Sequence, residues 1–145
     1  MSFDLATINT GAAADRGVTV KILHPTSNRR LGLEITVLGS DSREFKRLQR
    51  EQQNRRLKDQ AKNRGKLKLT AEELEEESLA TICALVIAWR QKNDDGSWKG
   101  TMTYDSQELE CNEDNKRKIF SDLGFSWLRE QVDEEIGNRD SFLKG

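Results

Sequence analysis

The chain has 145 residues and a formal net charge of −1, with 24 basic against 25 acidic side chains. That is the size of one domain, and its balance exerts no global pull on nucleic acid or on an acidic membrane. Charged and apolar residues each make up 34 %, a lean supply of core side chains, so parts of the chain are expected to be solvated and mobile.

Residues 1–17 are rich in Ala, Thr, Asn and Gly without periodicity and read as a flexible arm. From Val18 the pattern becomes period two. Val18, Val20 and Ile22 precede a turn at His24–Asn28, and Leu31, Leu33, Ile35 and Val37 follow it. This is a β-hairpin over 18–39. Two strands alone rarely stand in water, so the hairpin must add to something. Its edges and alternating faces make Val18, Val20, Ile22, Leu33, Ile35 and Val37 candidates for self-association.

Gly39 ends the strand, and Ser40 or Asp41 is placed to cap a helix starting near Ser42. Residues 43–68 are dense in Lys, Arg and Gln with only Phe45, Leu48 and Leu57 as a thin stripe, which predicts a charged, exposed and mobile helix. Thr70 with Glu73 forms a capping-box pattern. The acidic run Glu72–Glu77 suits the positive end of the following helix. Leu79, Ile82, Cys83, Leu85, Val86, Ile87 and Trp89 then read as the apolar end of one central core helix. Asn93–Gly96 is a turn, and Trp98–Tyr104 a short extended segment. Asn112 caps a helix to about Leu123, with Gly124 as its C-terminal glycine. In the final stretch Leu128, Val132 and Ile136 recur every four residues, predicting one amphipathic helix from Ser126, its cap, to Phe142. The expected fold is therefore mainly α with an N-terminal β-hairpin (α+β): a hairpin beside a small helical bundle spanning 40–145.

No catalytic constellation emerges. His24 beside Pro25 reads as a turn residue, since neither Cys83 nor Ser27 comes with a supporting nucleophile turn. Cys83 and Cys111 read as reduced thiols, and neither they nor the acids near Cys111 have metal-ligand spacing. No cofactor or metal is expected. No run approaches about 18 consecutive apolar residues, so no membrane span is expected, and the N-terminus lacks the pattern of a secretory signal. Arg50, Arg55, Arg56, Lys58, Lys62 and Arg64 could line phosphates, but without interleaved aromatics they support nucleic-acid binding weakly. Trp98, Trp127 and Phe142 offer aromatic surface to a protein partner.

The Glu-rich helix start leading to Ala84-Leu85-Val86-Ile87-Ala88-Trp89, the Trp98-Lys99-Gly100 turn, and the ending Phe125-Ser126-Trp127-Leu128-Arg129-Glu130-Gln131-Val132 with Gly137-Asn138-Arg139-Asp140-Ser141-Phe142-Leu143 carry a resemblance. Over residues 70–145 the chain resembles the tail assembly chaperones of long-tailed bacteriophages. The resemblance implies a non-enzymatic protein that binds and solubilises the tape measure protein, helps recruit the tail tube protein, and forms a homo-oligomer. It also implies residence in the cytoplasm of the infected bacterial host and absence from the mature virion. The alternatives are a nucleic-acid-binding regulator using the basic helix 43–68, and a structural tail subunit such as a tube or connector protein, for which more strands would be expected.

Overall fold

Four strands form the centre of the molecule. In the computed structural model, which describes residues 2–64 and 69–144, β1 (Val18–Leu23), β2 (Arg30–Val37), β3 (Val86–Lys92) and β4 (Trp98–Lys99) make an antiparallel sheet in the order β1-β2-β3-β4. A second hairpin, β5 (Thr101–Tyr104) and β6 (Gln107–Glu110), follows directly. Helices α1 (Thr10–Arg16), α2 (Arg43–Lys62), α3 (Ala71–Leu85), α4 (Glu113–Phe120), α5 (Ser126–Ile136) and α6 (Arg139–Lys144) complete it, with 3₁₀ turns at Leu5–Ile8 and Leu123–Phe125. Helix accounts for 53 % and strand for 22 %.

This overturns the expectation of a helical bundle with strands confined to an N-terminal hairpin. The hairpin is half of a four-stranded sheet, and its third strand is the segment read as the end of the core helix. Helix α3 stops at Leu85, and Val86 turns into strand geometry at φ −78°, ψ 113°. Val86-Ile87 is β-branched, and β2 needs a partner on its second side. Pairing of Ile35 with Trp89 and Glu34 with Arg90 supplies it.

The second hairpin was also missed, because Asp105 and Ser106 occupy the turn. Both have positive φ, 48° and 63°. Such a two-residue turn ordinarily announces itself with Asn-Gly or Asp-Gly. The hairpin is tied to the sheet by Gln91 Oε1, which accepts from the Thr103 N–H at 2.8 Å. Trp89 Nε1 adds a buried bond, donating to the Leu109 carbonyl at 3.0 Å.

The residues expected in a flexible arm include α1. Asn9 caps it through a bond from the Ala12 N–H, and Ala13 and Ala14 are buried. The final helix is two helices broken at Gly137-Asn138. Ser126 begins α5 without capping it, because Asp122 caps the preceding 3₁₀ turn by accepting from the Gly124 N–H. Gly124 lies inside that turn, and α4 ends earlier, at Phe120. Thr70 caps α3 as its sequence position suggests, whereas α2 starts at Arg43 and is capped by Ser42, whose Oγ accepts from the Phe45 N–H, and not by Ser40 or Asp41. Residues 65–68, the end of the expected charged helix, lie outside the described residues.

The core sits between one face of the sheet and helices α3, α4 and α5. Ile22, Ile35, Val37, Leu85, Val86, Phe120, Leu128 and Val132 are all buried there. Arg129 of α5 joins the three helices: its guanidinium bonds Glu75 and Ser78 of α3 and the Phe120 carbonyl at the end of α4. Helix α2 buries no residue. It leans on α3 through the Arg56–Glu77 ion pair and through Gln52 Nε2, 3.2 Å from Thr81 Oγ1.

Three consecutive backbone N–H groups after β2 serve three different helices. Leu38 donates to the Leu85 carbonyl of α3, Gly39 to Ala14 of α1, and Ser40 to Ile136 of α5. Carbonyls at helix C-termini lack intrahelical donors, and this tripeptide supplies them. Gly39 is required by space: a Cβ would sit 2.9 Å from Ala14 Cβ and 3.1 Å from the Phe142 ring.

Candidate functional site

A groove opens where α5 begins and the sheet ends. Its walls are Leu31 and Leu33 of β2, Met102 and Tyr104 of β5, and Phe125, Trp127 and Leu128 at the start of α5, around a space of about 200 Å³. The β2 side chains reach it because alternation points Leu33 to the helix-covered face while the strand runs past the end of α5. The 3₁₀ turn before α5 swings Phe125 between two other rings. Its centroid lies 5.8 Å from Tyr104 and 6.5 Å from Trp127, both edge-on, the arrangement the ring quadrupoles favour. Lys118 Nζ stands 5.0 Å from the Tyr104 centroid and gives this apolar wall a cationic rim. Phe125, Trp127 and Tyr104 are each half-buried, and Leu31 is 42 % exposed. A fixed, partly exposed aromatic cluster suits an apolar side chain from another protein.

The three aromatic residues singled out from the sequence separate. Trp127 lines the groove. Trp98, 38 % exposed, lies elsewhere, at the end of the sheet with the Arg90 guanidinium 4.1 Å from its ring centroid. Phe142 is 4 % exposed and packs on Gly39, so it holds α6 in place and is no contact for a partner. Tyr104, Phe125 and Leu31 were not singled out for binding. Phe125 stands one turn before the repeating Leu128–Val132–Ile136 face, the only sequence signal pointing to it.

The self-association candidates also divide. Val20, Ile22, Ile35 and Val37 are buried in the core, and Val18 and Leu33 pack against it half-buried. Their alternation marks the inner face of the sheet, covered by helices. An Ile35→Asp change would break the fold, not an interface. What β1 leaves open is its backbone edge, since its one strand neighbour among the described residues is β2.

His24 occupies the β1–β2 turn, where its Nδ1 accepts from the Thr26 and Ser27 N–H groups at 3.2 and 3.3 Å. Cys83 is fully buried while His24 is exposed, so the two share no surface. Burial pushes the Cys83 thiol up to about 11, and it also raises Cys111. Neither is a nucleophile near neutral pH. No helix among the described residues is long and apolar enough to cross a membrane.

No protein-family model matches this chain, and no curated protein or solved structure does. The reading of its function therefore rests on its own residues.

Proposed function

We propose that the chain is a protein-binding assembly factor: a phage tail assembly chaperone that holds apolar side chains of the tape measure protein in the Trp127–Phe125–Tyr104 groove. The observation that carries this is the edge-on aromatic cluster left half-open at the mouth of the groove. The chain leaves these rings half-buried at its surface. The resemblance of residues 70–145 to tail assembly chaperones supplies the partner. A tape measure protein is long, helical and striped with apolar residues. Many weak groove contacts along one such partner add through effective concentration, and tail tube subunits can displace them one by one. The open backbone edge of β1 is available for neighbouring copies to pair during coating. The role is non-enzymatic and places the protein in the infected host cell, absent from the finished virion.

Co-expression tests this. Wild-type protein is expected to keep the cognate tape measure protein in the soluble fraction. Trp127→Ala combined with Phe125→Ala is expected to lose that effect while keeping its helical circular dichroism. Equal solubility of the tape measure protein with and without the chain would overturn the reading.

A further inference from the structure

Among the described residues no helix packs over the second face of the sheet, where Lys21 and Arg90 are exposed, and its composition is lopsided. Register partners share a face of a sheet, so Lys21, Glu34 and Arg90 form one row across β1, β2 and β3. Two residues along, Gly32 lies under Lys92, with its would-be Cβ 3.2 Å from Lys92 Cβ, and Lys92 pairs with Trp98. Arg30 stands beyond. These residues surround a shallow cavity of about 390 Å³, floored where Gly32 has no side chain.

The electrostatics are equally one-sided. Glu34 is the one carboxylate of this cavity, and it is buried and spent: its Oε1 accepts from Arg90 Nε at 2.9 Å and from Nη2 at 2.6 Å. That bond holds the guanidinium over the Trp98 ring, 4.1 Å from its centroid. Lys21, Arg30 and Lys92 are exposed and make no ion pair among the described residues, although the chain has more acids than bases. Three cations without a carboxylate partner among the described residues therefore ring an aromatic edge and a glycine floor, Lys92 Nζ standing 5.8 Å from the Trp98 ring centroid.

We infer that this open face binds an acidic, extended segment of a protein partner, its carboxylates meeting Lys21, Arg30 and Lys92 and an apolar side chain resting against Trp98. Charge complementarity chooses the occupant. A nucleic-acid strand fits less well, because successive bases need successive stacking rings. Here Trp98 is the one aromatic residue of the cavity, and one of its faces already holds Arg90. This cavity shares Leu31 and Leu33 with the aromatic groove but none of its rings, and the inference stands whether or not the tape measure protein is the partner.

The test uses the full chain and three fluorescein-labelled probes: a short peptide of alternating Glu and Leu, the same peptide with Lys for Glu, and a short oligo-dT strand. Anisotropy is expected to show binding of the acidic peptide only, weakening as salt rises. It is expected to fall on the order of tenfold or more in the Lys21→Glu, Lys92→Glu double variant, and likewise in Arg30→Glu. All three positions are exposed, and circular dichroism checks the fold. Trp127→Ala should leave the peptide affinity unchanged, which separates this face from the groove. Equal binding of the acidic and basic peptides, or unchanged affinity in both charge-reversal variants, would overturn the inference. Tighter binding of oligo-dT than of the acidic peptide would also overturn it and assign the face to nucleic acid.

Discussion

Gln131 holds both backbone groups of Leu23: its Oε1 accepts from the Leu23 N–H at 2.9 Å, and its Nε2 donates to the Leu23 carbonyl at 2.9 Å. The two residues are 108 positions apart. A side-chain amide here takes the place of a neighbouring strand, closing the end of an otherwise open β1 edge. It also fixes α5 against the sheet, and thereby the aromatic groove beside it. Gln131→Glu keeps the acceptor and removes the donor, leaving the Leu23 carbonyl unpaired. Urea unfolding is expected to show a loss of about 1–3 kcal/mol, and amide exchange at Leu23 should quicken relative to Val20.

Trp89 is the hinge of the second hairpin. Trp89→Phe keeps an aromatic ring in the core but strips the donor from the buried Leu109 carbonyl. A cost of about 2–4 kcal/mol is expected from the lost bond and the residual cavity. Chemical-shift changes should spread into β5 and β6 and fade towards α1.

The β5–β6 turn is suboptimal in a specific way. Ser106 holds φ 63°, a region where side-chain-bearing residues pay a steric cost. Ser106→Gly is expected to stabilise the protein by about 0.5–1 kcal/mol, read as a rise in the urea midpoint. No change would mean that the Asp105-Ser106 pair gains elsewhere what it loses in the backbone.

Asp41 lies between the capping segment of α2 and α6, with Arg139 bonding both its oxygens at 2.6 and 3.0 Å. That fork, with a smaller contribution from Thr10, lowers the Asp41 carboxyl below its ordinary range. A lowered folded-state value means that the charged form stabilises the fold above the ordinary carboxylate pKa of about 3.9. The contribution is lost as pH falls through the folded-state value. Asp41→Asn should therefore melt lower than wild type at pH 7, and the gap should close as the buffer is taken to strongly acid pH. A gap constant across that range would remove the ion pair from the account.

The thiols give a kinetic readout. Cys83 is fully buried with its pKa up at about 11, and Cys111 is half-exposed. Under native conditions at pH 8, Ellman's reagent should modify Cys111 first. Cys83 should follow at the rate of unfolding, accelerated in Trp89→Phe.

Local signals in the sequence were legible where a residue acts on its own neighbours. Thr70 and Asn112 cap the helices they precede, and the β1–β2 alternation and its turn stand where the pattern puts them. What failed was settled at a distance. Leu79, Ile82, Leu85, Val86 and Trp89 keep helical spacing straight through the α3–β3 junction, so periodicity alone could not find it. The vacancy beside β2 decided it. Phe142 looked like a free aromatic at the end of an amphipathic run, because nothing local shows that Gly39 and Ala14 make a seat for its ring. The groove was half visible, through Trp127. Its other wall comes from a hairpin whose turn lacks the expected glycine.

Leu38, Gly39 and Ser40 receive the ends of α3, α1 and α5, and Phe142 of α6 then closes over Gly39. This sets an order on synthesis. Chains emerge from the ribosome N-terminus first, so Ala14 and the tripeptide are made well before the ring that covers them. The β1–β2 hairpin has both edges bare until β3 follows, and α1 lacks its neighbour α6 until Phe142 and its helix follow. Translation is thus an aggregation-prone stage for this chain.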